Sequence, residues 1–202
     1  MKFLLGRKLN MTQIFDEKGN VVPATVVSAG PVSAAQIKSK EKDGYDAIVF
    51  GFGEKKEKRV KKPQKNLGNF AVLRERRIEG DEKAVELGHK LDVSLFNAGD
   101  IVEISGITKG KGFQGVVKRH DFRGGQRTHG QKHSEREPGS IGGGLRTRVP
   151  SGMRMAGRMG GDRVTVKNLK VLKVDKEKNE LLISGAVPGS RGTLLEIKQV
   201  KK

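Results

Sequence analysis

The stretch RVTVKNLKVLKVDKEKNELLISGAVPGSRGTLLEIK, Arg163 to Lys198, decides the fold class. It breaks into four short runs rich in β-branched and alternating apolar residues: Arg163 to Lys167, Leu169 to Asp175, Glu180 to Ser184 and Thr193 to Lys198. A period of two sends successive side chains to opposite faces, the pattern of half-buried strands. Asp175-Lys176-Glu177-Lys178-Asn179 is a polar turn of hairpin length, and Val187-Pro188-Gly189-Ser190-Arg191-Gly192 carries Pro-Gly turn chemistry. Working outward, the same texture marks strands at Phe3 to Leu5, Val21 to Ser28, Ser33 to Lys38, Ala47 to Phe52, Ile101 to Ser105 and Phe113 to Lys118. Only Asn66 to Arg76 and Glu82 to His89 offer a helical period, and Gly68 weakens the first. The predicted class is mainly β.

A chain of 202 residues is long enough for one generous domain or two small ones. It has no Cys, so disulfides, thiolate metal sites and thiol nucleophiles are absent, and an intracellular protein is expected. Its longest apolar runs, Ala47 to Phe50 and Val171 to Val174, fall far short of the roughly 20 residues that cross a bilayer. No membrane partner is expected, and no secretory leader. With 41 Lys and Arg against 23 Asp and Glu, net +18, the expected partner is a polyanion, of which nucleic acid is the commonest.

The excess charge is uneven. Residues 1–105 carry net +4, residues 106–163 net +9 and residues 164–202 net +5. The middle segment holds 15 of the 28 glycines and only 12 hydrophobic residues, too few to offset the entropy of ordering a core of its own. It reads as an extension or a solvated linker. Nine of its 13 cations are Arg, whereas residues 164–202 have one Arg among nine cations. Solubility needs only charge, which Lys supplies, whereas planar two-pronged contact with phosphates favours Arg. Glycine lets such a chain thread where side chains would clash. Few aromatics, only Phe113 and Phe122 here, argue against a single-strand stacking platform and for folded RNA read by shape. The candidate RNA-binding residues are Lys109, Lys111, Arg119, His120, Arg123, Arg127, His129, Lys132, Arg136, Arg146, Arg148, Arg154, Arg158 and Arg163. A second basic cluster, Lys55, Lys56, Lys58, Arg59, Lys61, Lys62 and Lys65, fits either a nucleic-acid contact or a hairpin edge kept soluble by lysine.

Several patterns imitate enzymes. Gly110, Gly112 and Gly115 match G-x-G-x-x-G, but Val116-Val117-Lys118-Arg119 reads as strand where a dinucleotide site requires a helix N-terminus. His129 and His133 have a metal-clamp spacing, yet Gly130 breaks the helix that would align them, and no Cys or paired carboxylate joins them. Ser140 in Pro138-Gly139-Ser140-Ile141-Gly142 lacks the glycine pattern of a nucleophile elbow. No catalytic residue, metal, cofactor or small-molecule substrate is assigned.

Six motifs, in order along the chain, carry a resemblance: GRKLNMTQIFDEKGNVVPATVV (Gly6 to Val27), TKGKGFQGVVKR (Thr108 to Arg119), HDFRGGQRTHG (His120 to Gly130), PGSIG (Pro138 to Gly142), MAGRMGGDRVTVKNLKV (Met155 to Val171) and GAVPGSRGTLLEIK (Gly185 to Lys198). Together they resemble the family of the universal third protein of the large ribosomal subunit, in its bacterial form. The resemblance implies a six-stranded β-barrel of the translation-protein type, formed by residues 1–38, 80–117 and 163–202. It also implies a small α+β subdomain inserted at 39–79 and a long basic extension at 118–162 that enters ribosomal RNA. By the same resemblance the protein is a non-enzymatic constituent of the large subunit in the cytoplasm, bound to 23S-type rRNA and to neighbouring ribosomal proteins. It would join early in assembly and reach towards the peptidyl transferase centre. Two stretches depart from the family pattern. GSIGGGLRTRVPSGMRMAG (Gly139 to Gly157) contains no Gln where relatives carry a modifiable glutamine, so that modification is not expected, and Glu103 stands where Asp or Asn is usual. The rival reading is an architectural nucleic-acid binder acting outside the ribosome.

Overall fold

In the computed structural model of the chain, residues 2–16, 18–78, 86–144 and 147–200 are described. Their strands are β1 (Phe3–Phe15), β2 (Val21–Ala29), β3 (Val32–Lys38), β4 (Ala47–Glu54), β5 (Phe70–Arg77), β6 (Lys90–Leu91), β7 (Ile101–Ile107), β8 (Phe113–Gln114), β9 (Gly157–Arg158), β10 (Arg163–Asp175), β11 (Glu180–Ser184) and β12 (Leu194–Gln199). Two short helices, α1 (Lys40–Asp43) and α2 (Val116–His120), interrupt them. Among the described residues no helix is long and apolar enough to cross a membrane.

Six strands pair antiparallel in the order β1-β12-β7-β10-β11-β2 and close into a barrel. Closure leaves no edge around the ring where those pairings run. Over β11 and β12 the alternation becomes strict in-out burial: Leu181, Ile183, Leu195 and Ile197 are buried, as are Val102 and Ile104 on β7, whereas β10 buries Val171 alone. Leu4, Val27 and Val171 complete the same cluster from the remaining strands. Thr25, the buried polar residue there, donates its hydroxyl to the Gly185 carbonyl at 2.6 Å, so its desolvation is compensated.

The second sheet has the order β5-β4-β3-β6. Its central strand β4 is buried along Ala47–Phe52 on both faces, as the unbroken apolar run implies. Phe50 meets Phe3 of β1 at 5.1 Å between ring centroids, and the two sheets share one hydrophobic cluster.

Several local expectations change. Val32–Lys38 and Lys90–Leu91, expected within the barrel, pair in the second sheet instead, because Val32 and Ser33 find Leu91 and Lys90 on one side and β4 on the other. The helix expected over Asn66 to Arg76 is a 3-10 turn (Lys62–Leu67) followed by β5. Pairing with β4 from Glu54↔Phe70 to Ala47↔Arg77 overrides a weak local period. Arg163 to Lys167 and Leu169 to Asp175 merge into one strand that bends at Asn168, whose φ is 59°. Phe3 to Leu5 extends to Phe15. Of the helix expected over Glu82 to His89, residues 82–85 lie outside the described residues, and Leu87–Gly88 form a turn. Phe113 to Lys118 is strand only to Gln114, because its partner strand ends at Gly157, and one helical turn then buries Val116.

Asp100, just before β7, accepts hydrogen bonds from the Asn97 backbone N–H at 2.9 Å and from Lys2 Nζ at 2.7 Å. Chiefly the amide, then the ammonium, hold its carboxyl below the ordinary aspartate value of 3.8. A depressed folded-state pKa contributes stability that is present above the unfolded value and is lost as pH falls through the folded one. Asp100→Asn is expected to cost about 1 kcal/mol at neutral pH. It should also make stability less sensitive to acid below the unfolded value of 3.8, as read by urea titrations at stepped pH. Identical acid slopes in both proteins would contradict this role.

Candidate nucleic-acid interface

Residues Thr108–Asp162 form one compact unit, and the rest of the described chain forms another. All the candidate cations except Arg163 belong to the Thr108–Asp162 unit. It carries 12 Lys and Arg against four carboxylates. Val116 is its one buried hydrophobic side chain among the described residues, so backbone pairing and polar contacts shape it rather than a core.

Its two ends run side by side. Thr108 N–H donates to the Asp162 carbonyl at 2.9 Å, Lys111 N–H to Met159 at 2.9 Å, and Met159 N–H to Gly112 at 2.9 Å. The ladder continues as β8 against β9, with Phe113↔Arg158 and Gln114↔Gly157 in register. Lys109, Lys111 and Arg158 line this ladder, all exposed, and Phe113 beside them is 76% exposed. Close approach requires glycine at Gly160: its φ is +75°, and a Cβ there would strike the Lys109 carbonyl oxygen. Left-handed backbone costs a residue with a Cβ about 1–2 kcal/mol before any clash. Gly160→Ala is therefore expected to weaken RNA binding about tenfold with no change in its salt dependence, since no charge is altered. Unchanged affinity in a filter-binding titration would mean that the bound form does not use this turn.

At the end of α2, Arg119 Nη1 donates to the Met155 carbonyl at 2.8 Å, and His120 Nε2 lies 3.1 Å from the same oxygen. Both side chains are half-buried and brace the returning segment. The Arg154 guanidinium stands 5.2 Å over the Phe122 ring, and His120 flanks that ring at 6.0 Å. Arg127 pairs with Glu135 at 2.7 Å, while Gly125 N–H reaches the Glu135 carbonyl at 3.0 Å. Arg123, Lys132, Arg136, Arg148 and Arg158 are exposed and make no ion pair with a described carboxylate. These five, with Lys109 and Lys111, present charge outward. Arg146 lies outside the described residues.

Arg163 has a different setting. It sits on barrel strand β10, where its Nη2 is 2.5 Å from Glu196 Oε2, and Arg74 Nε reaches the other oxygen of Glu196 at 3.2 Å. Lys118, which residue spacing alone did not select, is exposed on α2 beside Arg119; its signal was the run of cations closing a helical turn. The lysine-rich cluster lies between β4 and β5, with Lys58 and Arg59 in one 3-10 turn and Lys62 and Lys65 in the next, all of it exposed except half-buried Lys55.

The enzyme-like motifs resolve physically. α2 supplies a helix after Gly115, where strand was expected, but it spans five residues and follows an antiparallel ladder, not the parallel strand of a dinucleotide fold. His129 has φ +58° and Gly130 φ +80°, so His129 and His133 do not share a helical face. Among the described residues no group of three or more His, Asp or Glu side chains could hold a metal.

Residues 53–187 match the family model described as Ribosomal protein L3. The large ribosomal subunit protein uL3 of Herpetosiphon aurantiacus is 47% identical over 204 residues, covering 98% of this chain and 96% of the relative. That of Carboxydothermus hydrogenoformans is 48% identical over 207 residues, 100% of this chain and 98% of the relative. That of Finegoldia magna is 46% identical over 208 residues, 100% and 99% respectively. With a family model matching more than half of the chain and relatives matching along its full length, the chain belongs to the ribosomal protein L3 family.

Proposed function

We propose that this chain is a structural, non-catalytic constituent of the large ribosomal subunit that binds 23S-type rRNA through the Thr108–Asp162 unit. The observation that carries the reading is the outward set Lys109, Lys111, Arg123, Lys132, Arg136, Arg148 and Arg158, without ion pairs among the described residues, on a glycine-rich frame where Val116 is the one described hydrophobic side chain that is buried. Such a surface offers forked donors spaced along a chain that phosphates can approach closely. Residues from about 118 to 162 act as the RNA-penetrating extension that reaches towards the peptidyl transferase centre. The barrel, of the kind shared with translation factors, anchors it, and the second sheet is a subdomain inserted between barrel strands. Early binding to rRNA nucleates assembly, and neighbouring large-subunit proteins are the further partners. The cytoplasmic ribosome is its location.

The test is direct. A tagged chain should sediment with large subunits, and the purified chain should prefer a large-subunit rRNA fragment to duplex DNA of equal charge. Equal affinity for both would favour an architectural binder outside the ribosome.

A further inference from the structure

The β8–β9 ladder has two unlike faces. Side chains alternate across a strand, and residues directly opposite on paired strands share a face. Gln114 and Gly157 form one opposite pair, Phe113 and Arg158 the other. On the Gln114 and Gly157 face the chain closes over itself. A Cβ at Gly157 would meet the Arg119 guanidinium, which donates to the Met155 carbonyl at 2.8 Å, and the Gln114 side-chain amide donates to the Lys111 carbonyl.

The other face is bare. Phe113 is more exposed than any other large hydrophobic side chain described, and no aromatic ring or cation among the described residues engages its ring. A Cβ at Gly112 or at Gly115 would meet nothing within 4 Å, so the chain on either side of Phe113 leaves the ring unsheltered. Phe122, the unit's other phenylalanine, already has partners in the chain, Arg154 and His120.

The surroundings of the ring select what covers it. Arg158 stands opposite on the same face, and Lys109 and Lys111 precede it on the ladder, all three exposed. Asp162, the carboxylate of the ladder, lies at its far end, where its carbonyl bonds Thr108. A protein partner gains from contiguous apolar area, and here glycines and cations surround a single ring. A nucleotide matches both parts of the site: its base has a flat face for the ring, and its phosphates are acceptors for the flanking cations.

We propose that Phe113 is the base-stacking residue of the RNA-binding unit. An unpaired base of the folded rRNA lies on its ring while Lys111 and Arg158 hold the phosphates beside that base. One ring receives one base, so the role needs none of the successive aromatics of a single-strand platform. The proposal deepens the rRNA-binding reading above and rests on it.

The chain contains no Trp, so Phe113→Trp places a single indole at the site. Titrated with 23S-type rRNA, its emission should be quenched as the complex forms, because stacking on a base quenches indole fluorescence, and its affinity should stay within about twofold of wild type. Phe113→Ala should weaken binding about tenfold, and Phe113→Leu nearly as much, both with the wild-type salt slope, because a ring face is lost and no charge changes. The exposure of Phe113 lets all three variants fold. An unquenched indole in the rRNA complex, wild-type affinity in Phe113→Ala, or full affinity in Phe113→Leu would overturn the stacking role and leave the rRNA-binding reading standing. An indole that is blue-shifted and unquenched in assembled subunits would assign the ring to a neighbouring protein and overturn it too. Failure of the wild-type chain to bind 23S-type rRNA would remove both.

Discussion

Replacing Arg123, Lys132, Arg136, Arg148 and Arg158 together by glutamine is expected to weaken binding to large-subunit rRNA about a thousandfold at physiological salt. Each phosphate contact releases counterions and steepens the fall of log affinity by about 0.7–0.9 per log unit of salt. Five lost contacts therefore flatten the slope by about four, and between about 1 M and 0.15 M salt that difference amounts to about three decades. These side chains are exposed and carry no ion pair with a described carboxylate, so their loss should leave folding nearly unchanged. Arg163→Gln is the matched comparison, and it should cost far less because Glu196 already holds that guanidinium. Filter-binding titrations across a salt series check both variants. A five-fold substituted protein with the wild-type slope would show that the unit meets RNA through other groups.

Phe50→Ala is expected to destabilise the protein by about 3–5 kcal/mol, the usual cost of removing a large buried aromatic ring. Phe50 is fully buried, and its ring lies 5.1 Å from that of Phe3 at an interplanar angle of 41°. Phe3 belongs to the barrel and Phe50 to the second sheet, so the cavity would open where the two sheets share their core. Chemical denaturation should show a lower midpoint with an unchanged slope, since the surface exposed on unfolding hardly alters. Phe113→Ala removes a ring that is 76% exposed and should stay within about 0.5 kcal/mol of wild type. A loss below about 1 kcal/mol at Phe50 would mean that the two sheets do not depend on each other.

Much of the fold was legible locally. The four runs from Arg163 to Lys198 become β10, β11 and β12, because a strand half-buried against a core writes its period into adjacent residues. Helical period misled at Asn66 to Arg76, where pairing with β4 decided the outcome, and β-branched residues misled at Val116 and Val117, where the partner strand had already ended. Among the candidate site residues, their exposure and clustering followed from composition. Which cations are engaged did not. Arg119 and His120 both turn to the Met155 carbonyl, more than thirty positions away, whereas Arg123 and Arg136 find no carboxylate among the described residues.

By itself, then, the sequence determined the mainly β class, the concentration of charge in a glycine-rich segment too poor in apolar residues for a core, and the family to which those motifs belong. Each of these is a local or summed property, readable from neighbours along the chain. Tertiary structure alone decided that Phe3 pairs with Lys198 to close the ring, that Val32–Lys38 leaves the barrel for a second sheet, and that Met11–Phe15 has only β2 beside it among the described residues. It alone separated bracing cations from outward ones. The physical reason is common to all four: strand partners, carbonyls and carboxylates are chosen by proximity in space, and residues far apart in the chain compete for them on terms that no local spacing encodes.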